Sequence, residues 1–167
     1  IIDRELKRAR LAGAASSAQT FNIRPEVQSI IDLLKKVHAD RRLNFSLDIK
    51  AHTLTYGDRE DMLELIGNLM ENASKWARRE VRFTAALNCE LIITVEDDGP
   101  GIEPALRQRL PERGVRADES RSGHGLGLSI VKDVVDQYGG NISFGQSADL
   151  GGLCVEIHLP TAANCRD

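Results

Sequence analysis

Two periods of apolar residues, one near 3.6 and one near 2, alternate along the chain and predict its elements. Ile1–Ala12 combines helix formers with apolar positions at Ile2, Leu6 and Ala9, and Gly13 with the small residues 14–18 ends it. Thr20–Ile23 predicts a short strand, and Pro25 opens a helix to about Ala39 with Val27, Ile30, Ile31, Leu34 and Val37 inward. Leu43, Phe45, Leu47 and Ile49 alternate with polar neighbours as a half-buried strand, and Leu54–Tyr56 is its expected partner. Asp58 is the expected N-cap of a helix through Ala77, with Asp61 three residues on. Val81–Leu87 and Glu90–Val95 read as a strand pair joined near Asn88. The pattern fails from Asp98 to Gly125 and returns in a helix over Leu126–Tyr138, with Ile130, Val131, Val134, Val135 and Tyr138 on one side. After Gly139-Gly140, strands Asn141–Ser147 and Leu153–Leu159 flank a Gly151-Gly152 turn. Helices between blocks of antiparallel strands predict an α/β fold, a two-layer sandwich whose mixed, mostly antiparallel sheet is covered on one face by helices. The long stretch without a pattern predicts a functional or mobile loop.

Composition narrows the class. The 167 residues suit one domain with a real core and a short appendage. A net charge of −3 offers no basic surface for nucleic acid, and 4% aromatic residues argue against a base-stacking platform. Cys89, Cys154 and Cys165 show no C-x-x-C spacing, which argues against a zinc site and favours a reducing compartment. No apolar run reaches membrane-spanning length. The chain opens on Ile1 and on a helix that cannot bury its own stripe, so a fragment of a longer protein is expected. Residues 1–13 would be an appended helix end, 18–160 the folded domain and 161–167 a tail.

Three clusters carry chemistry. Val95–Ile102 reads V-E-D-D-G-P-G-I: an apolar strand delivers Asp97 and Asp98 to a turn whose glycines permit close backbone approach. In isolation an Asp-Gly turn between strands fits equally well. On the Asp58–Ala77 helix, at about 100° per residue, Asn68, Asn72 and Lys75 cluster along one edge of the stripe Met62, Leu65, Ile66, Leu69, Ala73 and Trp76. Two amides and an ammonium suit a polyphosphate with its metal, although a solvated polar edge explains them if the helix is taken alone. Gly123-His124-Gly125-Leu126-Gly127 feeds the next helix with backbone N–H groups, an anion-binding arrangement that has neither Walker nor G-x-G-x-x-G spacing.

In this order N-L-M-E-N-A-S-K-W, E-D-D-G-P-G-I and G-H-G-L-G-L resemble the N, G1 and G2 boxes of the sensor histidine kinase catalytic domain. That is the Bergerat ATP-binding fold shared with gyrase, Hsp90-type chaperones and mismatch-repair ATPases. The resemblance spans Thr20–Pro160, and the E-D-D-G-P-G-I and R-G-V-R-A-D stretches are most similar to the PhoQ-type branch. It implies that Asp97 accepts a hydrogen bond from the adenine amino group, with Gly99, Gly101 and Ile102 close to the same nucleotide. Asn72 would coordinate Mg2+, Asn68 would support metal and phosphates, Lys75 would meet phosphate, and Trp76 would flank adenine. Gly125, Leu126 and Gly127 would close over the phosphates, with His124 beside them. Arg113 and Arg116 match lid arginines at the terminal phosphate, so Asn68, Lys75, Arg113 and Arg116 form the implied catalytic set. A solvated loop charge explains Arg116 and Arg121 equally well, and Asp98 is expected to shape the turn.

The resemblance implies a domain that binds Mg-ATP and donates the γ-phosphate to a histidine on a separate dimerisation domain, in a two-component pathway with a response regulator. His38, His52, His124 and His158 lack a directly following acidic residue, so the acceptor is expected outside this chain. Residues 1–13 would be the tail of the acceptor's helical hairpin. The parent would be a homodimer anchored in a bacterial inner membrane, this fragment being a monomeric cytoplasmic domain. In ATPase relatives a glutamate four residues before the metal asparagine activates water. Asn68 stands there and cannot act as a base, which favours a kinase over a standalone ATPase. An anti-sigma-type serine kinase and a non-catalytic nucleotide-binding regulator are alternatives on the same fold. One departure concerns L-P-E-R-G at Leu110–Gly114, where Pro111 replaces the family's phenylalanine and a lid over 104–122 that is mobile without nucleotide is expected.

Overall fold

A computed structural model of the chain describes residues 20–50, 55–103 and 127–161. In order they form β1 (Thr20–Asn22), α1 (Ile23–Val37), a 3₁₀ turn (Ala39–Arg41), β2 (Asn44–Ile49), β3 (Thr55–Asp58) and α2 (Arg59–Trp76). Then come β4 (Glu80–Leu87), β5 (Glu90–Asp97), α3 (Gly127–Gln137), β6 (Asn141–Gln146) and β7 (Leu153–Pro160). The expected helix of residues 1–12, the loop between 104 and 126, and the tail from 162 lie outside the described residues.

The main sheet runs β2-β4-β5-β7-β6. Only β2 and β4 are parallel, in register from Asn44↔Glu80 to Ile49↔Ala85. Every other pair is antiparallel. Inward positions alternate strictly: Val81, Phe83 and Ala85 on β4; Leu91, Ile93, Val95 and Asp97 on β5; Leu153, Val155, Ile157 and Leu159 on β7. The intervening residues of these strands are mostly half-exposed, so one face of the sheet takes the helices, as the strand period predicted. α2 packs Met62, Leu65, Ile66, Leu69, Met70 and Ala73 into that core, and α3 adds Val131, Val134 and Val135. Each such side chain, fully buried, stabilises the fold by roughly 1.5–3 kcal/mol in transfer terms.

Two expectations are corrected. Residues 55–58 do not pair with β2: β3 joins β1 in a separate antiparallel ribbon, with Phe21 opposite Tyr56 and Asn22 opposite Thr55. The Tyr56 hydroxyl donates to the Pro160 carbonyl at 2.6 Å, which holds this ribbon at the end of β7. The β2 edge is instead taken up by β4, reached through a crossover that includes α2, the kind of connection a parallel pair requires. Val37, placed inward by its angular position, is 63% exposed, because it occupies the last turn of α1 beyond the buried Ile23, Val27, Ile31 and Leu34. Of the described cysteines, Cys154 is a free thiol and Cys89 is disulfide-bonded.

α2 is fixed at both ends. At its start, Asp58 Oδ1 accepts from the N–H groups of Glu60 at 2.8 Å and Asp61 at 3.3 Å. Asp61 in turn accepts from the Tyr138 hydroxyl at 2.9 Å and Gln137 Nε2 at 3.0 Å, which ties this first turn to the end of α3. Gly57 (φ +62°) lies against the Tyr138 ring, where a Cβ would come within 3.1 Å. At its far end Arg41 donates to the carbonyls of Ser74 at 2.7 Å, Lys75 at 3.1 Å and Ala77, satisfying acceptors that a helix terminus leaves unpaired. The helix carrying Asn68, Asn72 and Lys75 is therefore held at each terminus by charged or hydroxyl groups from other elements.

Candidate nucleotide-binding site

The alternation of β5 places a carboxylate where the next inward side chain belongs. Asp97 is 2% exposed, following Leu91, Ile93 and Val95 on the core side. A charge so placed needs partners. Its Oδ1 accepts from Gly99 N–H at 2.8 Å and Leu153 N–H at 3.3 Å. Both bonds fall on one oxygen, so among the described residues Oδ2 is the acceptor left for something else. Burial pushes the Asp97 carboxyl above its ordinary value of 3.8, only partly countered by those two N–H groups, and the neighbouring Asp98 adds to the rise.

Glycines crowd this carboxylate. A Cβ on Gly99 would come within 2.6 Å of the Trp76 carbonyl and 2.8 Å of Asp97 Oδ1. A Cβ on Gly152 would collide with the carbonyl and Oδ1 of Asp97 and reach 2.6 Å from Gly99 N. Gly101 turns the chain at φ +70° beside Gly151 and Gly152. The end of α2, the glycine turn after β5 and the start of β7 thus meet around Asp97 with backbone alone between them.

Asp98 has a different task. Its carboxylate accepts from the N–H groups of Arg78 at 2.7 Å, Arg79 at 3.0 Å and Glu80 at 3.1 Å, closing the passage from α2 to β4. Burial alone would raise this carboxyl, but those N–H groups together with its own hold it below 3.8. It shapes the turn, as its sequence position suggested.

Some of the other candidates can be placed and some cannot. Asn68 Nδ2 donates to the Glu64 carbonyl at 2.7 Å, which orients the amide and leaves its Oδ1 3.2 Å from where a Cβ on Gly127 would stand. The first residue of α3 therefore packs on the amide of α2, and the second and third clusters of the sequence meet there. Asn72, Lys75 and Trp76 continue along α2, all half-buried, and Ile102 packs partly against the core. Arg113, Arg116, Arg121, His124, Gly125, Leu126 and Pro111 lie outside the described residues.

Sequence reasoning missed Gly152 and the Leu153 N–H, reading Gly151-Gly152 only as a hairpin turn. The available signal was two adjacent glycines where one suffices for a turn. Arg41 was missed as well, since nothing in a short polar stretch announces a cap on a helix thirty residues away.

A buried carboxylate packed among glycines, on a sheet covered by the helix that carries Asn68, Asn72 and Lys75, is what the structure sets beside known proteins. Residues 57–163 match the family of histidine kinase-, DNA gyrase B-, and HSP90-like ATPases, and the chain belongs to that family. Within that family, the proteins it is similar to include sensor kinases. The sensor protein kinase CarS of Pseudomonas aeruginosa is 44% identical over 160 residues, covering 95% of this chain and 36% of that protein. The sensor protein PhoQ of Escherichia coli K12 is 36% identical over 154 residues, 91% of this chain and 32% of that protein. Among solved structures, the mycobacterial sensor histidine kinase MprB superimposes with a TM-score of 0.72 at 25% identity, covering 85% of this chain and 97% of that one. The chain spans about a third of the length of CarS and PhoQ.

Proposed function

We propose that this domain binds Mg-ATP between the α2 edge, the Asp97 turn and the start of α3, and presents the γ-phosphate to a histidine on a separate helical domain of its parent. What supports this reading most is the Asp97 carboxylate, buried, held through Oδ1 with Oδ2 left as an acceptor among the described residues, and packed against Gly99 and Gly152 where no side chain would fit. An exocyclic amino group is the partner such an acceptor selects, so Asp97 reads adenine, Gly99 and Gly101 admit the ring, and Trp76 and Ile102 flank it. Asn68, Asn72 and Lys75 then lie toward the phosphates. Among the described residues no group of three His, Cys, Asp or Glu side chains could hold a metal. The amide oxygens of Asn72 and Asn68 fit Mg2+ all the same, because that ion keeps waters and phosphate oxygens in its shell and needs few protein ligands. When bound it neutralises phosphate charge. Lys75 contributes a point charge to the phosphates, Arg113 and Arg116 meet the terminal one, and His124, Gly125, Leu126 and Gly127 cover them. The protein's task is positioning and charge stabilisation.

Asn68 occupies the position from which a glutamate would activate water, so transfer to an acceptor is favoured over hydrolysis. Glu64, one turn earlier, is exposed and its carbonyl is engaged by Asn68. Among the described residues no helix is long and apolar enough to cross a membrane. Membrane anchoring, homodimerisation, the acceptor hairpin and the response regulator belong to the parent, with this domain on the cytoplasmic side.

Calorimetric titration of the full chain with ATP and Mg2+ tests the assignment. Asp97→Ala removes the partner of the adenine amino group and is expected to cost about 1–3 kcal/mol, roughly ten- to a hundredfold in Kd. Unchanged affinity would remove Asp97 from the site.

A further inference from the structure

The proposed base reader depends on a loop late in the chain, between β6 and β7. Asp97 Oδ1 takes one of its two bonds from Leu153 N–H, and the Asp97 carbonyl accepts from Gly152 N–H at 3.1 Å. Both donors stand where the β6–β7 hairpin re-enters the sheet. What fixes that hairpin is Ser147, itself 2% exposed. Its hydroxyl donates to Glu96 Oε1 at 2.7 Å and accepts from Leu150 N–H at 3.0 Å. Its backbone N–H donates to the Gly152 carbonyl at 2.9 Å, and its carbonyl accepts from Gly151 N–H at 2.9 Å. One buried serine thus closes the loop on itself and pins it to the residue directly before Asp97. Arg82 reinforces the pin from β4, reaching Asp149 at 2.7 Å and Glu96 at 3.6 Å, but this pair is open to solvent and contributes little.

We propose that Ser147, through its hydroxyl bond to Glu96, is a positioning residue for base selection: it sets the Gly152 and Leu153 N–H groups that orient Asp97 toward the adenine amino group. This rests on the reading of Asp97 as the adenine acceptor. Asp97 Oδ1 already sits within bonding distance of Gly99 N–H, which belongs to its own turn. Among the described residues the Leu153 N–H is the one donor to this carboxylate that comes from another strand, so it decides how the carboxylate is rotated about its side-chain bonds. Removing the Ser147 hydroxyl frees the loop to shift and lets the carboxylate follow Gly99 alone.

The test compares two nucleotides on the full chain: ATP and a purine ribonucleoside triphosphate lacking the 6-amino group. Ser147→Ala is expected to weaken ATP binding by about three- to tenfold while changing affinity for the analogue by less than about twofold. Ser147→Thr keeps the hydroxyl and is expected to restore the preference for ATP. Equal losses on both nucleotides would show a merely structural serine and overturn the proposal, as would no loss on either. Asp97→Ala is titrated alongside. If it keeps the wild-type preference for ATP, base reading by Asp97 fails and the positioning role falls with it. If it abolishes the preference while Ser147→Ala retains it, only the positioning role is overturned.

Discussion

Adjacent carboxylates at a strand end divide their work by the side on which each emerges. Asp97, in phase with Leu91, Ile93 and Val95, enters the core and is raised by burial, whereas Asp98, out of phase, spends itself on three N–H groups of the α2–β4 passage. The residues alone left this turn open between a site and a plain connection, and the bonds of Asp98 to the α2–β4 passage were not foreseen. Gly152 was missed too, its one signal being a second glycine where a single one suffices for a turn. Its surroundings now give a prediction. Gly152→Ala places a methyl against the carbonyl and Oδ1 of Asp97, and overpacking of this kind costs about 1–3 kcal/mol. Chemical denaturation should read that loss, and ATP affinity should fall with it. The same substitution at Gly145, where a Cβ would meet nothing within 4 Å, should leave affinity unchanged.

Among the elements, the helices and the antiparallel strands could be read from the chain, and the partner of β3 could not. Alternation says which face of a strand is buried and nothing about which neighbour it hydrogen-bonds, so Leu54–Tyr56 is expected on β2, whereas the observed strand Thr55–Asp58 belongs to β1. Val37 fails for a related reason: helical angle specifies a direction, not how far the core extends along the axis. A second element-level consequence concerns β5 and β7. His158 on β7 stands between Glu90 of β5 and Glu156 of its own strand, with both ring nitrogens at 2.9 Å from a carboxylate. Hydrogen bonds to Glu156 and Glu90 raise its pKa above 6.5. The protonated form is thus favoured by folding, so the added stability is fully present below about 6.5 and is lost as pH rises through the raised folded value. Thermal unfolding of wild type and His158→Gln across that window should show wild type ahead at low pH and the gap closing at high pH. A constant gap would mean that charge on His158 contributes nothing.

At the scale of the molecule, the proposed reading, with the base at Asp97 and the phosphates toward Asn68, Asn72 and Lys75, predicts a domain that delivers phosphate and does not itself accept it. Mixing the chain with a helical hairpin bearing the acceptor histidine and terminally labelled ATP should place an acid-labile, base-stable label on the hairpin. Acid-stable label would point to a serine acceptor, and steady phosphate release by the chain alone would point to an ATPase. The order of the sheet has one more result. β7 lies between β5 and β6 and supplies Leu153, Val155, Ile157 and Leu159 to the interior, yet it is the last described strand to be synthesised. Until β7 has emerged, β5 has an open, apolar edge and Asp97 lacks the Gly152 and Leu153 N–H groups. On the proposed reading, nucleotide binding waits for that strand. Translation arrested before Leu153 would leave a sticky half-sheet for chaperones or proteases to clear.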